Sequence, residues 1–180
     1  MTILAFSGSP RPDSAVSQLL RAAAATAPRG VGFVFFENVV GLPQFSPDLD
    51  GPNAGAPPAV AALRKQLAHA DAVLLATPEY AYGMPGSLKN ALDWLVSAGS
   101  FYGKPTGVLS ASPSKEGGEK ARVSLLLTLE ALGAAVLPAA SFAVPFVRTR
   151  LDAAGAGADE ALTARLGAAV ATLATAVAVT

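Results

Sequence analysis

A chain of 180 residues is long enough for one domain with a full core, and 52% hydrophobic with 14% charged residues indicates a folded globular protein rather than a disordered one. Thirteen basic residues balance thirteen acidic ones, so no overall field attracts nucleic acid or an anionic membrane, and we expect neither as a partner. The absence of cysteine excludes disulfides, thiolate metal ligands and a cysteine nucleophile.

The first elements alternate between strand and helix patterns. Residues 2–6 form an apolar run that ends at a Ser-Gly-Ser-Pro turn, which is typical of a buried parallel strand. A one-sided helix pattern begins at Ser14, and residues 31–36 are β-branched and aromatic, which predicts a second strand. No basic segment with a long apolar stretch opens the chain, so we expect a cytoplasmic location.

A long irregular segment follows. Residues 41–58 are rich in proline and glycine, which excludes regular structure over most of their length and predicts a surface loop. A linker between two domains is the alternative. Because the strand and helix patterns continue afterwards, with a helix over residues 60–67 and a strand over residues 71–76, we predict one domain that spans residues 1–180.

Residues 77–94 read TPEYAYGMPGSLKNALDW and organise the rest of the chain. The pattern predicts a loop at the carboxyl end of the third strand, followed by a helix. In open parallel sheets ligands bind at that end, so Glu79, Tyr80 and Tyr82 are placed to face one. Any α/β protein contains such a unit, however, and the spacing alone leaves a binding role open.

The second half of the chain repeats the alternation. Residues 105–111 predict a fourth strand, and residues 112–118 a polar loop at its carboxyl end. Residues 121–132 predict a helix that is apolar on almost every side. Such a helix must be buried on two sides. One side is expected to pack on the sheet, and the other on a second subunit or on a neighbouring helix.

The last elements are a weak strand and a long helix. Residues 134–137 and 142–147 offer a short fifth strand that Pro138 and Pro145 interrupt. The final helix is predicted to begin near Asp159, because acidic residues suit a helix N-terminus. Its apolar part after Arg165 is shorter than the ~20 residues that span a bilayer, so we expect it to cover the sheet.

Five strands that alternate with helices predict a doubly wound five-stranded parallel α/β sheet, of order 2-1-3-4-5, with helices on both faces. In that order strands one, three and four are neighbours. Their following loops, residues 7–14, 77–86 and 111–118, should therefore meet in one crevice at the switch point of the sheet.

The first of these loops, SGSPRPDS, carries the clearest chemistry. Ser9, Arg11 and Ser14 precede a helix N-terminus, where free backbone N–H groups and the helix dipole favour an anion, and we predict a phosphate site. Neither a Walker motif nor a GxGxxG fingerprint is present. The alternative is an ordinary capped turn with Asp13 or Ser14 as the N-cap, and the carboxylate of Asp13 opposes an anion unless it turns away.

The loop GSPRPDS followed by TPEYAYGMPGSLKNALDW resembles the NADPH-dependent FMN reductase family, a flavodoxin-like group of flavin, quinone, azo-compound and chromate reductases. The resemblance extends over most of the chain, as far as Asp152 and Gly155. It implies an enzyme that takes electrons from NADPH or NADH through bound FMN to a small acceptor such as a quinone, free flavin, azo compound or metal oxyanion. The chemistry then occurs at flavin N5, with no catalytic side chain and no metal.

The resemblance also implies roles for individual positions. The residues matching those that hold the FMN phosphate are Ser9, Arg11 and Ser14. The positions expected along the isoalloxazine are Pro78, Glu79, Tyr80, Ala81 and Gly83, and those bordering its pyrimidine side are Ser112, Gly117 and Gly118. Tyr80 and Tyr82 would flank the substrate. Two asparagines usual in the family are replaced here by Val16 and Ala81, which removes polar groups near the flavin.

An electron carrier of the flavodoxin type, docking on a protein partner, is the alternative function. Flavodoxins are typically acidic, and the zero formal net charge of this chain favours the enzyme. The family resemblance also implies a homodimer or homotetramer. The single histidine, His69, is expected at the surface near a helix end, and Trp94 is expected in core or interface packing rather than in flavin stacking.

Overall fold

A parallel sheet forms the centre of the computed structural model, which describes residues 1–50, 55–151 and 158–179. Part of the predicted 41–58 loop and the matching positions Asp152 and Gly155 lie outside the described residues. The strands are β1 (Thr2–Ser7), β2 (Gly32–Phe36), β3 (Ala72–Pro78), β4 (Pro105–Ala111), β5 (Ala135–Val136) and β6 (Phe142–Val144). The helices are α1 (Ala15–Ala25), α2 (Pro58–His69), α3 (Gly86–Asp93), α4 (Glu119–Ala131), the single turn α5 (Val147–Arg150) and α6 (Glu160–Val179).

The strand order is β2-β1-β3-β4-β5 with every pairing parallel, which confirms the predicted topology. The predicted fifth strand is split, however. β5 and β6 both pair with β4, and a short 3-10 turn, Pro138–Ala140, separates them. Proline has no N–H to continue the ladder, so the chain leaves the sheet at Pro138 and rejoins it further along. Gly107 makes room for this detour, because a Cβ there would lie 2.8 Å from the Ala140 carbonyl oxygen.

Alternating side chains of the strands give the sheet two apolar faces. Ile3 and Ala5 of β1 point to one face, which α1 and α6 cover, whereas Leu4 and Phe6 point to the other, which α2, α3 and α4 cover. The helices therefore lie on both faces, as predicted. Because both faces are covered, β3 and β4 are buried along nearly their whole length, and only their ends can serve a site.

Helix α6 begins where the acidic residues indicated. Asp159 Oδ1 accepts the Leu162 N–H at 2.7 Å, and hydrogen bonds from Arg150 and the helix N-terminus lower the pKa of Asp159 to about 2. The helix as a whole, Glu160–Val179, is long and apolar enough to cross a membrane by length and composition alone. Its inner side packs in the core through Leu162, Leu166, Ala169, Val170 and Leu173, all fully buried.

Before α2 begins at Pro58, the described part of the 41–58 loop contains only single 3-10 turns, and α3 holds it in place. Asn90 Oδ1 accepts the Phe45 N–H at 2.7 Å, and both Asn90 Nδ2 and Trp94 Nε1 donate to the Pro43 carbonyl oxygen. Trp94 is fully buried, with its ring 5.1 Å from that of Phe45. The Asn-Ala-Leu-Asp-Trp part of the central motif thus anchors a loop, and Trp94 packs in the core as expected.

A second anchor holds the end of the same loop. Arg64 Nη2 lies 2.6 Å from Asp50 Oδ1, and Ser97 donates a hydrogen bond to the other carboxylate oxygen. The hydrogen bond from Ser97 and the nearby guanidinium hold the pKa of Asp50 below its usual value. The loop therefore has fixed attachments on both α2 and the segment after α3.

Candidate functional site

A cavity of about 410 Å³ opens at the carboxyl edge of the sheet, beside the ends of β1, β3 and β4. The predicted site residues that line it are Ser9, Arg11, Ser14, Pro78 and Tyr80. The other lining residues are Asp13, Ala15, Val16, Gln18, Ala111, Pro113, Val147 and Arg148. The structure thus brings the predicted loops together in the crevice that the strand order requires.

Hydrogen bonds within the first loop orient its hydroxyl groups. Ser14 is the N-cap of α1, and its Oγ accepts the Ser17 N–H at 3.2 Å, while Ser9 Oγ accepts the Arg11 N–H at 3.1 Å. An oxygen that accepts a backbone N–H keeps its own proton to donate. Ser7 and Ser17 extend the network inward, with their Oγ atoms 2.9 Å apart. Ser14 Oγ also lies 3.0 Å from Ser17 Oγ, so within the cavity lining Ser9 and Ser14 are the serines that place hydroxyl groups beside the positive end of α1.

The charges in this cavity favour an anion. Asp13 lines it with a side chain that is 92% exposed, and its Oδ1 lies 3.9 Å from Arg21 Nη1, although Arg21 pairs more closely with Glu37, at 3.0 Å. The Arg11 side chain makes no hydrogen bond or ion pair with any other described residue. Val16, which replaces a usual family asparagine, is almost fully buried and contributes an apolar wall. Ser14 is therefore the N-cap, as one of the two alternatives predicted, and it lies in the same cavity as Arg11.

The Tyr80–Gly83 segment is a tight turn with an unusual backbone. The Tyr80 N–H donates to Gly83 O at 2.9 Å, and the Gly83 N–H donates back at 3.0 Å. Between them Ala81 and Tyr82 have φ of 48° and 64°, the left-handed conformation of a type I′ turn. Asparagine tolerates this conformation better than alanine does. The alanine that replaces the usual asparagine at position 81 is therefore a strained residue at the tip of a site loop.

We predict that Ala81→Asn stabilises the protein by about 0.5–1 kcal/mol, because asparagine relieves the cost of positive φ. Chemical denaturation of the two proteins measures the difference in the free energy of unfolding. Ala98→Asn is the control, since Ala98 is also exposed and lies outside the positive-φ residues. Equal effects of the two substitutions on the free energy of unfolding would show that Ala81 is not strained.

Glu79 connects this turn to the next site loop. Its Oε2 accepts the Ala121 N–H at 3.1 Å in the first turn of α4, where the helix dipole favours a carboxylate. The Lys120 ammonium lies 3.5 Å from the centre of the Tyr82 ring, a cation–π contact. A second cavity of about 390 Å³ lies here, lined by Glu79, Tyr82, Ser112, Ser114, Glu116 and Lys120. Glu79, which was expected to face a ligand, thus also links two site loops.

The third loop is held against β6. Ser110 Oγ donates to the Gly117 carbonyl oxygen at 3.0 Å, and the Ser112 N–H donates to Val144 O. Gly117 has φ of 64°, and a Cβ there would lie 2.7 Å from the Pro145 nitrogen. Only glycine fits both the backbone conformation and the space. Gly118, also at positive φ, caps α4.

The structure places the remaining predicted positions around the cavities rather than in their walls. Ala81, Gly83, Gly117 and Gly118 are outside both sets of lining residues and instead shape the loops. His69 ends α2 at the surface, as expected, and lines a separate cavity of about 240 Å³ beside Thr2. Among the described residues no cluster of three His, Cys, Asp or Glu side chains is suited to a metal.

Sequence reasoning missed a fourth segment of the site. Val147 and Arg148, at the start of the α5 turn that follows β6, line the same cavity as Arg11. The available signal was an arginine just beyond a strand's carboxyl end. Because Pro138 and Pro145 made that strand weak, its end could not be located from the pattern.

The fold and the cavity define a class: a doubly wound α/β protein with a cavity lined by serine and arginine residues at the switch point of its sheet. The chain belongs to the NADPH-dependent FMN reductase family, whose family model matches residues 1–149. This membership confirms the resemblance and places the chain among flavin-dependent oxidoreductases.

Individual relatives agree with the family. The chain is 36% identical over 160 residues to an NAD(P)H-dependent FMN reductase from Pseudomonas aeruginosa, with 88% of this chain and 85% of the relative covered. It is 29% identical over 154 residues to a quinone reductase from Escherichia coli, with 84% and 81% covered. The solved structure of FerB, a flavoenzyme NAD(P)H:(acceptor) oxidoreductase from Paracoccus denitrificans, has a TM-score of 0.83 at 29% identity and covers 98% of this chain and 97% of its own.

Proposed function

We propose that the chain is a single FMN-binding domain, residues 1–180, that acts as a cytoplasmic oxidoreductase. It takes electrons from NADPH or NADH and passes them to a small acceptor, with quinones as the first class to test. The observation that carries the proposal is the cavity in which Ser9, Arg11 and Ser14 surround the N-terminus of α1 in a member of this family.

The residues present fit a flavin mononucleotide. Hydroxyl donors and one guanidinium at a helix N-terminus suit its phosphate, and we assign Ser9, Arg11 and Ser14 to it. The backbone of Pro78, Tyr80 and the Ala81–Gly83 turn, together with the loop of Ser112, Gly117 and Gly118, is assigned to the ring system. Bound FMN would supply the redox chemistry, by accepting a hydride at N5 and returning the electrons to an acceptor.

The protein contributes binding, orientation and electrostatics. The N–H groups of Ala81 and Tyr82 have no acceptor among the described residues, so they are free to stabilise negative charge on a bound ring. In the third loop the N–H groups of Ser112, Ser114 and Gly117 are already bonded, which limits the role expected there. Tyr80 and Tyr82 are 46% and 72% exposed, and we assign them to the substrate side. The proposed redox chemistry requires no acid–base pair from the described residues.

Steady-state kinetics test the proposed function against the electron-carrier alternative. An enzyme of this kind oxidises NADPH or NADH by itself when a quinone is present, and gives parallel lines in double-reciprocal plots because donor and acceptor use one site in turn. A carrier would turn over only when a protein partner is added. A panel of quinone, free flavin, azo compound and metal oxyanion under anaerobic conditions identifies the preferred acceptor.

We also propose that the protein is a homodimer or homotetramer. α4 buries Leu125 and Leu129 against the sheet, yet it leaves Val123 47% and Leu127 64% exposed, so its second apolar side is not covered by a neighbouring helix. Val96, after α3, is 63% exposed on the same groove as Leu127. Both helices start at site loops. The groove is lined by the later parts of these helices, so a second subunit on this surface would pack along α3 and α4.

We predict that light scattering gives at least twice the chain mass of 18.0 kDa at micromolar concentration. Leu127→Arg should reduce the mass to that of one chain, because a charge in an apolar interface is costly to bury. Val179→Arg is the control, on an apolar residue that is 84% exposed at the end of α6. A measured mass of one chain for the unaltered protein would contradict the proposed homodimer or homotetramer.

A further inference from the structure

Two arginine residues, not one, line the cavity at the carboxyl edge of the sheet. Arg11 comes from the first loop and Arg148 from α5, in a part of the chain remote in sequence. Neither side chain has a hydrogen bond or ion pair with another described residue. The only carboxylate in the lining belongs to Asp13, which lies 3.9 Å from Arg21. Arg21 lies closer to Glu37, at 3.0 Å, so the lining carries two arginines against the single carboxylate of Asp13.

Backbone hydrogen bonds fix the position from which Arg148 projects. The Phe146 N–H donates to Ser114 O and the Val147 N–H to Ser112 O, both at 3.1 Å. Phe146 is held at φ of 51°, and Val147 beside it is buried in the cavity wall. The α5 turn is thus attached to the third site loop at two points. Arg148 is placed by the site and is not simply a surface cation that happens to be near it.

The charge of a phosphate ligand gives a physical reason for a second arginine in the cavity. A phosphate monoester carries about −1.5 to −2 charges near pH 7. Arg11 and the α1 dipole alone leave part of that charge without a counter-charge. A guanidinium binds phosphate oxygens through two parallel N–H groups and keeps its charge at every accessible pH.

We propose that Arg148 is a second phosphate-binding residue, which together with Arg11 neutralises a phosphate monoester in this cavity. The proposal rests on the proposed function, since FMN is the monoester concerned. It makes α5 a determinant of the preference for FMN over riboflavin. Residues 147–148 then belong to the binding site along with the three loops predicted from the sequence.

Titration of FMN and riboflavin into Arg148→Gln, Arg148→Lys and the unaltered protein tests the proposal, with flavin fluorescence as the readout. We expect Arg148→Gln to weaken FMN about tenfold and riboflavin less than twofold, because only FMN presents the charged phosphate. Arg148→Lys should recover part of the loss by restoring the charge. Arg29→Gln, the same change at an exposed arginine outside the cavity, should leave both affinities unchanged.

Three results would overturn an assignment. Unchanged FMN affinity in Arg148→Gln, while the unaltered protein binds FMN, removes Arg148 from the phosphate site. Equal losses for FMN and riboflavin show a structural effect instead, which thermal unfolding of the same variant reveals as a lowered Tm. Failure of the unaltered protein to bind FMN at all overturns the proposed function itself, and thus differs from the failure of this inference alone.

Discussion

Arg11→Ala is expected to weaken FMN binding roughly tenfold to hundredfold while riboflavin binding barely changes. The reason is that the guanidinium contributes a charge-assisted hydrogen bond, worth on the order of 1.5–3 kcal/mol, and only FMN carries the phosphate that accepts it. Isothermal titration with both flavins measures the two affinities directly. The substitution removes no contact from the core, because the Arg11 side chain is exposed and makes no hydrogen bond within the described chain.

Arg29→Ala controls for the loss of one positive charge, since Arg29 is exposed and lies outside the cavity lining. It should leave both flavins unaffected. If Arg11→Ala reduces FMN and riboflavin affinity equally, the first loop does not hold the phosphate.

Gly117→Ala, which adds a single methyl group, should destabilise the protein more than any other such change in the site. Its Cβ would lie 2.7 Å from the Pro145 nitrogen and 2.8 Å from the Val144 carbonyl carbon, and neither backbone atom can move freely. The positive φ of Gly117 adds strain for any L-residue. We expect a loss of roughly 2–4 kcal/mol in the free energy of unfolding, and weaker FMN binding, because the loop of residues 112–118 must separate from β6.

Gly99→Ala separates the two causes of that loss. Gly99 has a similar φ of 59°, but a Cβ added there would meet no atom within 4 Å, so the substitution costs only the backbone strain. We expect a loss of about 1 kcal/mol there, with FMN affinity unchanged. Equal destabilisation by the two substitutions in urea denaturation would show that the contact between Gly117 and β6 is unimportant.

Much of the fold follows from the sequence because the strands β1 and β3 contain apolar runs that end at loops with proline and glycine. Residues 71–76 illustrate this, since β3 lies there with both faces covered. The end of the sheet was harder to predict. Pro138 divides the fifth strand into β5 and β6, and whether the chain rejoins β4 after a proline depends on tertiary contacts such as that between Ala140 and Gly107.

The candidate site was predicted to the extent that it depends on topology. Parallel strands place Ser9 and Tyr80 at one edge, and the structure finds both in one cavity. The left-handed turn at Ala81 was not predictable, because neither Ala81 nor Tyr82 favours positive φ and only the paired hydrogen bonds between Tyr80 and Gly83 impose it. Arg148 was missed because its place depends on the hydrogen bonds that attach α5 to the third loop.

The most direct test of the proposed function is anaerobic stopped-flow mixing of the FMN-loaded protein with NADPH or NADH. An NAD(P)H-dependent oxidoreductase should lose the visible absorbance of its oxidised flavin with at least one of the two nucleotides, and regain it when a quinone is added. If neither nucleotide bleaches the flavin, while the protein still binds FMN, the chain does not take electrons from reduced nicotinamide and the proposed function is wrong.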